Sequence, residues 1–170
     1  MSVLDVLDRR VVDLNMKVKV KDEAIRHLSG LLKEAGYIED VEEFVKDIYE
    51  RENEGITGIG EHIAIPHGKS ESVRNIGIAV GKLDNMIEWE SLDNKPVDLI
   101  FLFAVSKNQY DSSHLKLLGD LAGRLGRNNT IKKLREMNEF EDLLEAFGEE
   151  AQSVVEDMEI MSGEIEIKYE

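Results

Sequence analysis

Cysteine is absent from this 170-residue chain. Its absence excludes disulfides, cysteine-ligated zinc sites and thiol nucleophiles together, so covalent catalysis must use another side chain, and histidine is the leading candidate. Long apolar runs are also missing, since no segment approaches the roughly 18 consecutive apolar residues of a membrane span. The first residues, MSVLDVLDRR, lack the basic-then-apolar order of a signal peptide. These absences predict a cytoplasmic protein without direct membrane insertion.

Basic residues are outnumbered, because 21 lysines and arginines stand against 36 acidic residues, giving a formal net charge of -15. This charge argues against nucleic acid or anionic lipid as a partner and favours a basic partner protein. Residues 149–170 alone hold eight acidic residues and one lysine, and Ile165, Ile167 and Tyr169 alternate there with charges. The alternation is typical of an edge strand, which could pair two chains as a homodimer, although a solvated tail fits as well. We therefore expect a domain over residues 1–148 and an acidic tail or extra strand over 149–170.

Proline is scarce too, and with two prolines and no low-complexity tract nothing marks an interdomain linker. Helical spacing of apolar residues predicts helices in KDEAIRHLSGLLKEAG, DVEEFVKDIYEREN, SSHLKLLGDLAGRL and around TIKKLREM and EFEDLLEAF. Gly36 can end the first of these, Asp40 can cap the second, and serine can cap the third. In the third helix the predicted buried face consists of Leu115, Leu118, Leu121, Ala122 and Leu125. The segments VVDLNMKV, IGIAVGKL and VDLIFLFAV are typical of strands, so the fold class is α/β in a single compact domain.

The segment HIAIPHGKSES, from residue 62, contains two of the four histidines. Its apolar residues indicate the end of a buried strand, which Pro66 should terminate because proline has no N–H for the ladder. We expect His67 to lie at that strand terminus with its imidazole facing a cleft, and Gly68 to leave room for a bulky ligand. Upstream, GITGIG predicts a tight loop near the same place, without the lysine and spacing of a Walker phosphate loop.

His114 falls in the first turn of a predicted helix. The positive end of the helix dipole and the unpaired amides there favour an anion such as phosphate and disfavour an imidazolium. Considered alone, a histidine at this position is equally compatible with a capping or surface role.

The stretch RENEGITGIGEHIAIPHGKS resembles the phosphorylation-site signature of the fructose/mannitol-type enzyme IIA domain of the bacterial phosphoenolpyruvate-dependent sugar phosphotransferase system. The resemblance extends from about Val3 to Phe147 and includes SLDNKPVDLIFLFAV and SSHLKLLGDLAGRL. It implies a mixed β-sheet flanked by helices, in agreement with the pattern of elements predicted above.

The resemblance also implies the roles of individual residues. His67 would be the phosphoryl carrier, charged by the phosphohistidine of the phosphocarrier protein HPr and discharged to a cysteine of enzyme IIB. His114 would assist as a second active-site histidine, and Arg51 would help to hold the phosphoryl group and keep His67 neutral. Glu52 belongs to the motif without an assigned role. No metal or other cofactor is implied, because a phosphoramidate donor is already activated, and fructose is the favoured sugar.

Alternatives remain at the level of single residues and of the whole protein. Arg51 could instead bond the last carbonyls of its helix, Glu52 could be a surface acid, and His27 and His62 are expected to be non-functional. A regulatory protein of the nitrogen-linked phosphotransferase branch would use the same His67 chemistry to control partners. A metal site formed by His62, His67 and His114 would suit zinc, but strand alternation places the first two on opposite faces.

Overall fold

The computed structural model describes residues 2–107 and 112–148. The helices are α1 (Val3–Val6), α2 (Lys21–Glu34), α3 (Val41–Glu52), α4 (Ser112–Leu125), α5 (Asn128–Glu136) and α6, which begins at residue 140 and continues to residue 148. The strands are β1 (Val12–Met16), β2 (Gly58–Gly60), β3 (Ile63–Ala64), β4 (His67–Ser70), β5 (Gly77–Ile87) and β6 (Val97–Ser106). The predicted tail over 149–170, including its strand pattern at Ile165, Ile167 and Tyr169, lies outside the described residues.

The chain divides into two units, one over Val6–Leu115 and the other made of the N-terminal residues to Asp5 and those from Lys116 onward. The first unit contains the sheet, in the order β1-β5-β6-β3-β2, with β4 also paired to β6. β1 pairs in parallel with β5, and β3 and β4 pair in parallel with β6, whereas β5 with β6 and β2 with β3 are antiparallel. The predicted α/β class with a mixed sheet is therefore confirmed.

Helices α2 and α3 pack on the sheet of this unit because each has an apolar stripe at helical spacing. The buried positions of α2 are Ala24, Ile25, Leu28, Ser29 and Leu32, and those of α3 are Phe44, Val45 and Ile48. The predicted end signals are confirmed: Gly36 adopts a φ of 84° after α2, and Asp40 accepts a hydrogen bond from the amide of Glu43 at 3.1 Å. This cap fixes the start of α3 and hence the register of the residues at its other end.

The second unit contains most of α4 with α5 and α6. Asp120 accepts a hydrogen bond from the amide of Val3 at 2.8 Å, and Arg124 donates to the carbonyl of Phe147 at 2.6 Å. The predicted buried face of α4 is wrong by part of a turn, since Leu115 is 57% exposed and Ala122 is exposed. The buried positions are His114, Leu117, Leu121 and Leu125. A histidine occupies the first place of this stripe, which is why a count of apolar residues alone selected the wrong face.

None of the helices in the described part of the chain combines the length and the hydrophobicity that crossing a bilayer requires.

Pro66 interrupts a strand that then resumes, which corrects the prediction that the strand ends there. β3 stops at Ala64, β4 begins at His67, and both pair in parallel with β6. Pro66 lacks an N–H, but its carbonyl accepts a hydrogen bond from the amide of Phe103 at 2.9 Å, so the chain stays beside β6. His67 therefore starts a second short strand in direct register with Phe103.

Gly68 is required by packing and not by ligand access, which corrects the second prediction for this segment. A Cβ at position 68 would overlap the ring of Phe44, which is fully buried in α3. The glycine thus allows α3 to lie close against β4.

Gly68→Ala is expected to destabilise the protein by about 1–3 kcal/mol, because the added methyl group must displace a buried ring. Gly30→Ala in α2 is the matched control: nothing lies within 4 Å of its would-be Cβ, so alanine should stabilise the helix by up to about 1 kcal/mol. Urea unfolding of both variants measures the difference. Equal stability of the two would show that α3 and β4 do not depend on this close approach.

Candidate active site

His67 is held by the sheet with its ring almost completely buried. The side chain is 8% exposed, and its ring stacks on Phe103, its register partner on β6, with centroids 5.0 Å apart and planes inclined by 13°. The sequence predicted the cleft position but not this depth of burial, which depends on the pairing of β4 with β6.

His114 lies beside His67, although it is 47 positions further along the sequence. Its ring is edge-on to that of His67, with centroids 5.7 Å apart and planes at 89°, and the side chain is 7% exposed. The first turn of α4 supplies it, as predicted. The fold therefore brings together the two histidines that the sequence singled out.

Arg51 belongs to the last turn of α3, which ends at Glu52. Its Nη1 donates a hydrogen bond to the carbonyl of Gly55 at 3.2 Å, beyond the end of the helix. Arg51 therefore donates to a carbonyl of the loop after α3, and not to one of the last carbonyls of its own helix as the alternative had it. From this position Arg51 lines the same cleft as both histidines.

The cleft has a volume of about 450 Å³ and carries charges of both signs. It is lined by Asp47, Glu50, Arg51, Glu54, His67, Lys69, Val105, Lys107 and His114. The acidic residues all come from α3 and the loop after it, whereas Lys69 belongs to β4 and Lys107 directly follows β6. Sequence reasoning missed both lysines, although strand alternation from His67 places Lys69 on the same face of β4. Cations at this edge could neutralise an anion bound next to His67.

The environment lowers the pKa of His67 to about 4. Burial is the largest cause, because it disfavours the charged ring, and the charges of His114 and Arg51 act in the same direction. The backbone of Ile65 acts in the opposite sense and favours the protonated ring. His67 is therefore a neutral imidazole at pH 7, which is the form that can attack phosphorus. The sequence predicted the direction of the effect of Arg51 but not the leading contribution of burial.

The free energy of unfolding is expected to fall as the pH drops from about 6.5 to about 4. The unfolded chain binds a proton at His67 near pH 6.5, whereas the folded chain binds it only near pH 4. Between these two pH values the free energy of unfolding falls by up to about 1.4 kcal/mol per pH unit, and above about pH 6.5 this effect vanishes. His67→Gln removes this contribution, so urea unfolding at pH 7 and pH 4.5 should show a smaller loss for the variant. An equal loss in both proteins would contradict the lowered pKa.

Glu52 faces away from the cleft. Its side chain is 7% exposed and pairs with Lys21 Nζ at 2.6 Å, and its Oε2 accepts a hydrogen bond from the Thr57 hydroxyl at 2.6 Å. The prediction of a surface acid at this position is therefore wrong. Sequence reasoning also missed the partners, because Lys21 and Thr57 carry no motif signal of their own.

The two remaining histidines lie outside the cleft lining. His62 has a φ of 64° in the turn between β2 and β3, and its Nδ1 lies 2.9 Å from the carbonyl oxygen of Pro96. His27 Nε2 pairs with Asp13 at 2.8 Å. Across residues 2–107 and 112–148 no group of three or more His, Cys, Asp or Glu residues is arranged to hold a metal ion. The hypothetical set of His62, His67 and His114 is thus not assembled.

Comparison with known proteins identifies the family. Residues 5–150 match the model described as "Phosphoenolpyruvate-dependent sugar phosphotransferase system, EIIA 2". The fructose-specific EIIABC component of Bacillus subtilis is 35% identical over 136 residues, which are 80% of this chain and 21% of that protein. The nitrogen regulatory protein of Klebsiella oxytoca is 33% identical over 152 residues, which are 88% of this chain and 91% of that protein.

A solved structure shows the same fold. The nitrogen regulatory protein IIA-Ntr from Neisseria meningitidis superposes with a TM-score of 0.77 at 26% identity, covering 85% of this chain and 98% of that chain. The chain belongs to the EIIA type 2 family of the phosphotransferase system. It spans about a fifth of the length of the sugar-specific EIIABC components from Bacillus subtilis and Escherichia coli that it matches.

Proposed function

We propose that this protein is a phosphoryl carrier that accepts a phosphoryl group from phospho-HPr on His67 and passes it to a cysteine of enzyme IIB during sugar uptake. The single observation that supports this most is the neutral, buried His67 beside His114, in a cleft that Arg51 also lines. Membership of the EIIA type 2 family supports the same chemistry. We favour fructose as the sugar, since a fructose-specific component is among the matched relatives.

The proposed transfer forms one N–P bond and breaks another. A lone pair on the neutral His67 ring attacks phosphorus, and the electrons of the donor's N–P bond return to the donor imidazole. If the donor ring carries a proton on its free nitrogen, it leaves neutral and His67 retains its own N–H, so no proton has to move. Since the transition state spreads charge over the equatorial oxygens, fixed cations contribute most of the catalysis. Arg51 would take this role, and Lys69 and Lys107, which line the same cleft, would add positive charge.

The surface around the cleft fits a basic partner protein with an apolar contact. Asp47, Glu50 and Glu54 form an acidic row beside Arg51, and Leu115, next to His114, is 57% exposed. Opposite charges across such an interface raise the rate of encounter. Both proposed partners, HPr and enzyme IIB, would have to approach this same face because both react at His67.

A regulatory role is the second candidate, and a specific observation favours it. Nitrogen regulatory proteins are among the matched relatives and solved structures, with 33% identity for the Klebsiella protein and a TM-score of 0.77 for the Neisseria IIA-Ntr chain. A regulator would use the same phosphohistidine to change which protein it binds.

Intact-mass spectrometry after incubation with phosphoenolpyruvate, enzyme I and HPr tests the carrier function. We expect one acid-labile phosphoryl adduct, which disappears when the fructose-type enzyme IIB is added. An adduct that persists with IIB would favour the regulatory role, and no adduct under any condition would overturn phosphoryl transfer.

A further inference from the structure

Glu52 is a buried carboxylate that the proposed reaction leaves unused. It pairs with Lys21, whose Nζ also contacts Glu90 at 2.9 Å, and it accepts a hydrogen bond from the hydroxyl of Thr57. A buried charge is tolerated only when it is paired and hydrogen-bonded, and both conditions are met here. The contact between Glu52 Oε2 and Thr57 Oγ1 is called the Glu52–Thr57 link below.

Thr57 is the central residue of this arrangement. It is 2% exposed, and its hydroxyl accepts a hydrogen bond from the indole of Trp89 at 3.0 Å while donating to Glu52. Lys21 Nζ lies 4.8 Å from the centre of the Trp89 ring. The Thr57 hydroxyl is thereby engaged both as donor and as acceptor, so its position is fixed by the side chains of Glu52 and Trp89.

The Glu52–Thr57 link joins the two ends of a short loop, and Arg51 donates a hydrogen bond to that loop. Residues 53–56 are all exposed, and Glu52 and Thr57 flank them. In the middle of this loop, the carbonyl of Gly55 accepts the hydrogen bond from Arg51 Nη1. An exposed loop with few buried contacts moves unless its ends are held. This hydrogen bond therefore couples the orientation of Arg51 to the position of the loop.

We propose that Glu52 and Thr57 are positioning residues, which hold the loop of residues 53–56 closed so that the Gly55 carbonyl keeps Arg51 directed at His67. The inference rests on the proposed function only in that the phosphoryl group is what Arg51 meets there. A merely structural link would stabilise the fold without affecting the electrostatics of the cleft. The positioning role and the merely structural role therefore predict different pKa values for His67 when the link is broken.

Thr57→Val tests the proposal, because valine has the shape of threonine without the hydroxyl. The backbone hydrogen bond from the amide of Ile65 to the carbonyl of Thr57 is retained. Since the charge of Arg51 lowers the pKa of His67, a misplaced guanidinium should raise that pKa. We expect an NMR titration of the His67 ring to show a rise in Thr57→Val of at least half that in Arg51→Ala. Thr57→Ser, which keeps the hydroxyl, should restore the wild-type value.

A double variant shows whether the effect passes through Arg51. Arg51→Ala with Thr57→Val should have the same His67 pKa as Arg51→Ala alone, whereas a further rise would overturn the proposal, as would an unchanged pKa in folded Thr57→Val. If that variant does not fold, Glu52→Gln takes its place, because it removes the charge from the link at constant volume. The emission of Trp89, the one tryptophan in the chain, reports in each variant whether the link has changed. These titrations use unphosphorylated protein, so they test the positioning role even if the protein transfers no phosphoryl group.

Discussion

Replacing His67 by alanine is expected to abolish phosphate acceptance completely. The variant loses an imidazole that combines a lowered pKa with a position beside His114, in the cleft that Arg51 also lines. The measurement is intact mass after incubation with phosphoenolpyruvate, enzyme I and HPr. Wild-type protein should gain one phosphoryl group and the variant none.

The control for this experiment concerns packing. The ring of His67 stacks on Phe103, and the residue is 8% exposed. Alanine therefore leaves a cavity, and some loss of stability is expected. His67→Gln keeps most of the volume and should be equally inactive. Phosphate on either folded variant would contradict the assignment, and phosphate on His114 would show that the two roles are reversed.

The sequence predicted the identity of the cleft residues better than their surroundings. A histidine after Pro66, a histidine at a helix start and an arginine at a helix end are all local features, and each was found where its element places it. Their proximity was not predictable from spacing, because it depends on the parallel pairing of β4 with β6 and on where α4 begins. Only the resemblance to a family connected them in advance.

The misses at Pro66 and Gly68 share one cause. Each was interpreted from its own conformational properties, as a strand terminator and as a space for a ligand. In the structure a neighbouring element decides both positions, since β6 continues to pair through the Pro66 carbonyl and α3 packs Phe44 onto Gly68. Tertiary contacts thus override local propensity at the segment that carries His67.

The role of Glu52 shows the limit of motif reasoning in the same way. A motif identifies a residue that matters without saying what it contacts, so Glu52 had no assigned role. The helical geometry of α3 places successive residues on different faces, so Arg51 reaches the cleft while Glu52 reaches Lys21 and Thr57. One helix end therefore supplies both a residue of the site and the residue that we propose positions it.

Arg51→Ala is expected to slow phosphoryl transfer by a factor of about 10²–10³, the range found when one preorganised donor to a developing negative charge is removed. Protonation of His67 does not cause this loss. Arg51 is the third of the influences that lower the pKa of His67, and burial, the first, remains. The ring should therefore still be neutral at pH 7, so the loss should persist when the pH is raised to 8.

Rapid-quench measurement of transfer from phospho-HPr separates the rate at saturation from the apparent affinity. Arg51→Ala should lower the transfer rate at saturation and leave the apparent affinity for phospho-HPr nearly unchanged, because Arg51 contacts the phosphoryl group inside the cleft. Arg51→Lys should recover part of it, since lysine retains the charge but not the planar fork of donors that matches a phosphoryl group. Arg74→Ala is the matched control: it removes the same charge from an exposed arginine that pairs with Glu39 and is absent from the cleft lining. If Arg51→Ala and Arg74→Ala were equally fast, Arg51 would act only on the loop after α3, and the cations of the cleft would be reduced to Lys69 and Lys107.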